Sequence, residues 1–282
     1  MRNKTIIRMG ISTCPNDTFA FHALLNRKVD WRGLDFKIEL LDIEQLNERL
    51  FSKVWDVAKA SFHAAILLSN DTVVLPSGSA LGFGVGPLLL ASKPDQRPQE
   101  SHQLTLCPGQ HTTANLLFNL FYADTTKIEH RVFSEIMPTL QRGEADFGVC
   151  IHEGRFTWQE QGLYLVEDLG SRWENETNAP LPLGGILASR NLPQETLSKI
   201  QNVISDSLRY GMDHPEEALE SMRKHAQEFD DQVLMQHVEL YVNQWTLDLG
   251  EVGQEALKVL WERANSIGLV NSTSPPIQVW SK

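Results

Sequence analysis

Ile6-Ile-Arg-Met-Gly-Ile-Ser-Thr-Cys-Pro-Asn-Asp-Thr-Phe-Ala-Phe-His-Ala-Leu-Leu25 is the stretch that decides the fold class. Ile6–Ile11 predicts a strand, and a helix is expected from about Pro15 to Leu25. Proline suits a first helical turn because its missing N–H is not needed there. A strand running straight into a helix is the unit of an α/β protein, and the alternation continues outward from it. Asp35–Leu41 predicts a second strand, Glu44–Ser52 a short helix, and Val54–Ala60 leads into a helix starting near Ser61. Thr72–Leu75, Val85–Ala91, Leu104–Cys107 and Phe147–Ile151 predict further strands, and Thr113–Tyr122 and Glu135–Gln141 predict helices. Three amphipathic helices, Glu195–Tyr210, Asp231–Trp245 and Glu251–Ile267, close the chain and are expected to pack back on its first part.

Two proline-interrupted stretches, Lys93-Pro-Asp-Gln-Arg-Pro98 and Pro180-Leu-Pro-Leu-Gly-Gly185, are expected to be crossings between lobes. They divide the chain into a first lobe of residues 1–92 plus 188–282 and an inserted second lobe of residues 93–187. The glycine-dense run Leu75–Pro87 matches neither dinucleotide nor phosphate-loop patterns and predicts a tight hairpin near the hinge.

The 282 residues hold 25 Lys plus Arg against 36 Asp plus Glu, a net charge of −11, which argues against non-specific nucleic-acid binding. Seven Trp and twelve Phe supply enough apolar surface for a packed core, so disorder is excluded. The three cysteines, Cys14, Cys107 and Cys150, are too far apart for a zinc cage or a disulfide framework and fit a reducing compartment. Arg8 interrupts the N-terminal apolar run, and the longest such run, around Val85–Ala91, is far short of the ~20 residues of a membrane span. A cytoplasmic protein with no membrane insertion is expected. The residues carry no signal of oligomeric state.

Three strand-to-helix junctions carry possible ligand chemistry: Ser12–Thr18, Asp56-Val-Ala-Lys-Ala-Ser61, and Pro108-Gly-Gln-His-Thr-Thr-Ala114. Each is expected to place helical N–H groups at the carboxyl end of a strand, where open α/β sheets bind ligands and where a carboxylate is stabilised. Lys59 adds a cation, and Thr112 and Thr113 add hydroxyls. Ordinary capping explains each junction singly; their convergence predicts a small-molecule carboxylate ligand. A fourth motif, Phe147-Gly-Val-Cys-Ile-His-Glu-Gly-Arg155, ends a hydrophobic strand in His152, a candidate acid–base group because imidazole titrates near cellular pH. Cys14 as a nucleophile, and a Cys150–His152 pair sharing one strand face, remain open. The second His of a zinc hydrolase motif is missing.

These motifs, read in order, resemble one family. Ser12–Phe19 (STCPNDTF, with Thr13 where a second proline is usual), SALGFGVGPLLL, PGQHTTA, GVCIHEGRFTW, DLGSRWE and PLPLG together are similar to 1,4-dihydroxy-6-naphthoate synthases, the late enzymes of the futalosine route to menaquinone. The resemblance implies an α/β, two-lobe, type II periplasmic-binding-protein-like fold with the substrate in the interlobe cleft. It implies a carbon–carbon lyase that cleaves cyclic dehypoxanthine futalosine to 1,4-dihydroxy-6-naphthoate and a three-carbon fragment, without metal, nucleotide or redox cofactor. It implies that His152 is the proton acceptor and that Lys59, Ala60, Ser61, Thr113 and Ala114 contact substrate, with Asn47 a further pocket position. The alternatives on the same residues are the chorismate dehydratase of that pathway, a non-catalytic small-anion-binding protein, and a cysteine hydrolase.

Overall fold

The computed structural model describes residues 5–152, 154–225, 230–270 and 274–281. Its strands fall in two sheets. β1 (Thr5–Ser12), β2 (Leu34–Leu41), β3 (Val57–Ser61), β4 (Thr72–Val74) and β5 (Ala80–Gly82) belong to the first. β6 (Leu88–Ala91), β7 (Leu104–Cys107), β8 (Lys127–His130), β9 (Phe147–Cys150) and β10 (Tyr164–Asp168) form the second, and β11 (Leu181–Ser189) returns to the first. The first sheet runs β2-β1-β3-β11-β4, with β5 also on β11; β2, β1 and β3 are parallel and β11 is antiparallel to its neighbours. The second runs β10-β6-β9-β7-β8, with β9, β7 and β8 parallel.

β1 pairs with β2 over its whole length, Thr5 opposite Leu34 through Ser12 opposite Leu41. Ile7, Met9 and Ile11 alternate onto one face. There they pack against Leu197, Ile200, Val203, Ile204 and Leu208 of the helix Gln194–Asp213. Ser207 of that helix donates to the Ala20 carbonyl at 2.8 Å and accepts from the Leu24 N–H at 3.0 Å. The end of the chain therefore closes on the first sheet as expected, and Trp280 donates its backbone N–H to Val74. A larger core joins both sheets: Leu81 of the first, and Phe62 at the start of the helix after β3, share it with Leu89, Phe147 and Val149 of the second, and with Leu257 and Leu260 of the helix Gly250–Ser266.

Several sequence expectations change. Pro15–Leu25 is two short helices, Pro15–Ala20 and His22–Leu25, separated at Phe21. Asp231–Trp245 ends at Tyr241, because Asn243 caps a new turn, Gln244–Leu247. A helix, Pro215–His225, intervenes between the first two closing helices. Leu75–Pro87 is not a hairpin; its strand β5 pairs with the distant β11. Leu88–Ala91, read as preceding the crossing, is an inner strand of the second sheet, and Pro180–Gly185, read as a crossing, lies largely within β11. Proline misled in both places: Pro182 sits at a register shift in the β5–β11 pairing, where its missing donor does no harm. No described helix is long and apolar enough to cross a membrane.

The passage from β5 to β6 is fixed by a backbone contact. A Cβ on Gly86 would lie 2.1 Å from the Gly170 Cα, and one on Gly170 would lie 2.5 Å from the Gly86 Cα. Arg155 adds a bond to the Gly86 carbonyl at 2.6 Å and another to Asp168 at 2.6 Å, while Asp168 caps the helix Leu169–Thr177. Two backbones at this separation have no side chain to yield. Gly86→Ala is expected to destabilise by about 1–3 kcal/mol and to lower Tm by roughly 3–10 °C, measured by calorimetry.

Candidate active site

The carboxyl ends of β1, β3 and β9 and the loop after β7 meet in one cleft between the sheets. It spans about 650 Å³, open solvent at its mouth included. Ser12, Cys14, Lys59, Ser61, Thr113, Ala114 and His152 are in its walls.

The β1 junction is tightly bonded. The Cys14 N–H donates to Ser12 Oγ at 3.0 Å, the Ser12 hydroxyl donates to Cys14 Sγ at 2.7 Å, and Cys14 Sγ lies 3.2 Å from His152 Nε2. That thiol–imidazole contact joins residues 138 apart in sequence. It replaces the Cys150–His152 pair considered from strand alternation: Cys150 Sγ lies toward the Gly148 carbonyl, and burial pushes its thiol up to about 12. His152 follows β9 in the left-handed region, φ 57°, a conformation that a non-glycine residue adopts only when its surroundings impose it. Phe133 packs edge-on against its ring at 4.6 Å. Desolvation, helped by the nearby Lys59 ammonium, pushes His152 down to about 3, so the half-buried imidazole is neutral at pH 7. Glu153, the next residue of the motif, lies outside the described residues.

Lys59 does not offer a free cation. Its ammonium donates to Asp17 Oδ1 at 2.6 Å and to the Gly78 carbonyl at 3.0 Å, with Lys59 4 % and Asp17 2 % exposed. Burial raises the Asp17 carboxyl, and Lys59 and Ser12 pull it back. The first turn of Pro15–Ala20, expected to receive a ligand anion, therefore holds the protein's own carboxylate.

The other two junctions differ from each other. Ser61 stands at the N-cap of Phe62–Leu67, yet its side chain makes no cap bond. Asn47 holds it instead, donating to Ser61 Oγ at 3.2 Å and accepting from the Ser61 N–H at 3.0 Å. Among the described residues the Ser61 hydroxyl has no acceptor, so its proton is available to a ligand. Thr112 is a true N-cap for Thr113–Tyr122, accepting from the Asn115 N–H at 3.2 Å. The Thr113 hydroxyl donates to the Leu183 carbonyl at 2.7 Å and accepts from the His63 N–H at 3.3 Å. The backbone N–H groups of Thr113 and Ala114, at the start of a ten-residue helix, have no partner among the described residues, and both residues line the cleft. Glu44 braces this loop from the first sheet's side, taking the His111 N–H at 3.1 Å and Nδ1 at 2.8 Å.

A family model described as menaquinone biosynthesis matches residues 7–266. The 1,4-dihydroxy-6-naphthoate synthase of Thermus thermophilus is 40 % identical over 97 % of this chain and 99 % of its own length. That of Streptomyces coelicolor is 38 % identical over 95 % of this chain and 96 % of its own. The chain belongs to the 1,4-dihydroxy-6-naphthoate synthase family. It is thereby a lyase-type enzyme of menaquinone biosynthesis, as its motifs led one to expect. The periplasmic aliphatic sulphonate-binding protein of Escherichia coli superposes with a TM-score of 0.64 at 14 % identity, covering 99 % of this chain and 95 % of that one. The likeness is of fold alone, and it makes the architecture of this synthase-family member the two-sheet periplasmic-binding-protein fold.

Of the residues carried over from the synthase family, the cleft brings together His152, Lys59, Ser61, Thr113 and Ala114. Ala60 is absent from its walls, because strand alternation turns its side chain to the opposite face from Lys59 and Ser61. Asn47 is also absent and acts through Ser61. Asp17, Glu44 and His237 were not foreseen. Asp17 and Glu44 gave no local signal, since their partners are 42 and 67 residues away. His237 gave one: it lies on the same helical face as Leu234, Val238 and Tyr241, a polar residue in a buried stripe.

Two measurements test this electrostatic picture. Burial lowers His63 to about 4, His152 to about 3, and His237 well below its ordinary value. The unfolded chain binds protons at these sites below pH ~6.5 and the native protein does not, so stability is lost as pH falls. Tm is expected to drop steadily between pH 6.5 and pH 5. Lys59→Met leaves the Asp17 carboxylate buried without its counter-charge, and a loss of about 3–5 kcal/mol in denaturant unfolding is expected, largely recovered in Asp17→Asn/Lys59→Met.

Proposed function

We propose that the protein converts cyclic dehypoxanthine futalosine to 1,4-dihydroxy-6-naphthoate in the cytoplasm, with His152 as the base that removes a carbon-bound proton. The observation that carries this reading is the meeting in one cleft of a neutral imidazole and two amides, unpartnered among the described residues, at a helix N-terminus. The substrate carries a carboxylate. The Thr113 and Ala114 amides and the Ser61 hydroxyl suit that group, because oriented N–H and O–H donors bind an anion without reorganising.

With the acid group fixed there, the reacting carbon is presented to His152. The left-handed backbone and the Phe133 ring hold that imidazole, so little orientational freedom remains to be lost in the transition state. The proton passes from carbon to a ring nitrogen. Its electron pair enters the ring system, the carbon–carbon bond to the three-carbon fragment breaks, and the fragment leaves with that bond's electrons and takes up the proton held by His152; aromatisation supplies the driving force. An imidazole pushed down to about 3 is a weak base toward water. An anionic substrate opposes the Lys59 charge that helps to depress it, and so raises its basicity when substrate is bound. Cys14, at 3.2 Å, is placed to exchange a hydrogen bond with His152 Nε2 and fix its tautomer, the role a second group ordinarily has beside a catalytic imidazole.

Incubation of purified protein with cyclic dehypoxanthine futalosine, followed by mass analysis, should yield the naphthoate; recovery of unchanged ligand would establish a binding protein instead. His152→Ala is expected to reduce turnover by a factor on the order of 10²–10⁴ while substrate still binds. Because His152 in the free enzyme stays deprotonated down to about pH 3, kcat/KM should not fall with a midpoint near 6.5 as pH is lowered from 8 to 5. A profile that does fall there removes the depressed histidine as the base.

A further inference from the structure

One group in the cleft wall has no role in the chemistry above. His237 lies on the helix Asp231–Tyr241, is 1 % exposed, and lines the same cleft as His152 and Ser61. Neither of its ring nitrogens has a hydrogen-bond partner among the described residues. Its surroundings are aromatic: the Tyr241 ring at 4.4 Å, the Phe156 ring at 6.3 Å, and the His152 ring at 6.4 Å with the planes only 23° apart. The Tyr241 hydroxyl is directed elsewhere, to the Val85 carbonyl at 3.2 Å.

Burial keeps this imidazole neutral, with one N–H to give and one lone pair to receive. Leaving a buried donor or acceptor unmade is unfavourable by about 1–3 kcal/mol, and a phenyl ring would fill similar space without that penalty. An orphaned polar ring in a wall of the ligand cleft therefore points to a partner that arrives with the ligand. The direction of approach defines which part of the ligand. Leu234, one turn before it, and Val238, the next residue, pack with Phe19 of the helix Pro15–Ala20, so the helix carrying His237 lies on the first sheet's side. The amide pair comes from the helix after β7, in the second sheet.

We infer that His237 is a substrate-contact residue, hydrogen-bonding a hydroxyl or carbonyl oxygen on the part of the substrate that lies beside His152. This rests on the proposed function. It gives the two histidines separate tasks: His152 takes the proton, and His237 holds the oxygen next to the reacting carbon so that the carbon meets the base. A neutral donor is suited to an oxygen that gains charge as the proton leaves, because its bond strengthens in the transition state.

The test compares wild type, His237→Phe and His237→Gln for turnover of cyclic dehypoxanthine futalosine and for Tm without ligand. His237→Phe is expected to keep or raise Tm, since it removes an unpaired buried group, and to lower kcat/KM by on the order of 10–100-fold. His237→Gln, which retains a donor and an acceptor, should recover part of that loss. A structural role predicts the opposite pattern. If Tm falls in both variants, or if kcat/KM of His237→Phe stays within about twofold of wild type, the inference is overturned and the ring is a packing group. A wild type that does not convert the substrate overturns the functional reading and this inference together. An active wild type with an unimpaired Phe variant overturns this inference alone.

Discussion

The site depends on the buried pair between Lys59 and Asp17. Lys59 is in β3, Asp17 is in the short helix after β1, and the bond at 2.6 Å ties the two strand ends that floor the cleft. A buried ion pair of this kind contributes little net stability over an apolar pair, because the desolvation of two charges offsets their attraction. Its effect is on position and field. Lys59 also holds the Gly78 carbonyl, so three segments of the first sheet converge on one ammonium. Its charge reaches His152 and helps to keep that imidazole deprotonated.

The second wall is set by bonds that run between the sheets rather than within them. Glu44 takes both the backbone and the ring of His111, and the Thr113 hydroxyl bridges the His63 amide and the Leu183 carbonyl. These contacts consume the polar side chains of the loop after β7. What they leave over is the pair of amides at Thr113 and Ala114. Side chains that look from their chemistry like ligand donors are here the frame, and the backbone groups are what the frame leaves unbonded among the described residues. At Ser61 the reverse holds: Asn47 takes the backbone N–H and donates to the hydroxyl oxygen, leaving the hydroxyl proton without an acceptor among the described residues.

His152 occupies the left-handed backbone region, uncommon for any residue but glycine, next to a thiol from the first sheet's side of the cleft. His237 has neither ring nitrogen bonded among the described residues, in aromatic surroundings. Both features work against stability and both lie in one cavity. The bonded, well-packed remainder of the molecule carries them, as is common where a site is held ready for a ligand.

Much was legible along the chain. Alternating apolar runs and capping residues give β1, β2, β7 and β9 and the helices Thr113–Tyr122 and Gln194–Asp213 nearly at their observed bounds, because these depend on local periodicity. The ordered motifs gave the family, and with it His152, Ser61 and the Thr113-Ala114 turn. Strands β8, β10 and β11 escaped notice. β8 is a half-exposed edge strand, β10 is an exposed edge strand, and β11 contains Pro182 and two glycines that read as a loop. By itself the sequence determined the α/β alternation, most of the inner strands, the net negative charge and the residues from which a carboxylate site can be built, since all of these follow from composition and near-neighbour spacing. Only the tertiary structure decided that Asp17 takes Lys59, that Cys14 meets His152, and that a helix near the end of the chain brings His237 into the cleft. Each is a contact between residues 42 or more positions apart, chosen by how the two sheets and the closing helices pack, and no local pattern encodes it.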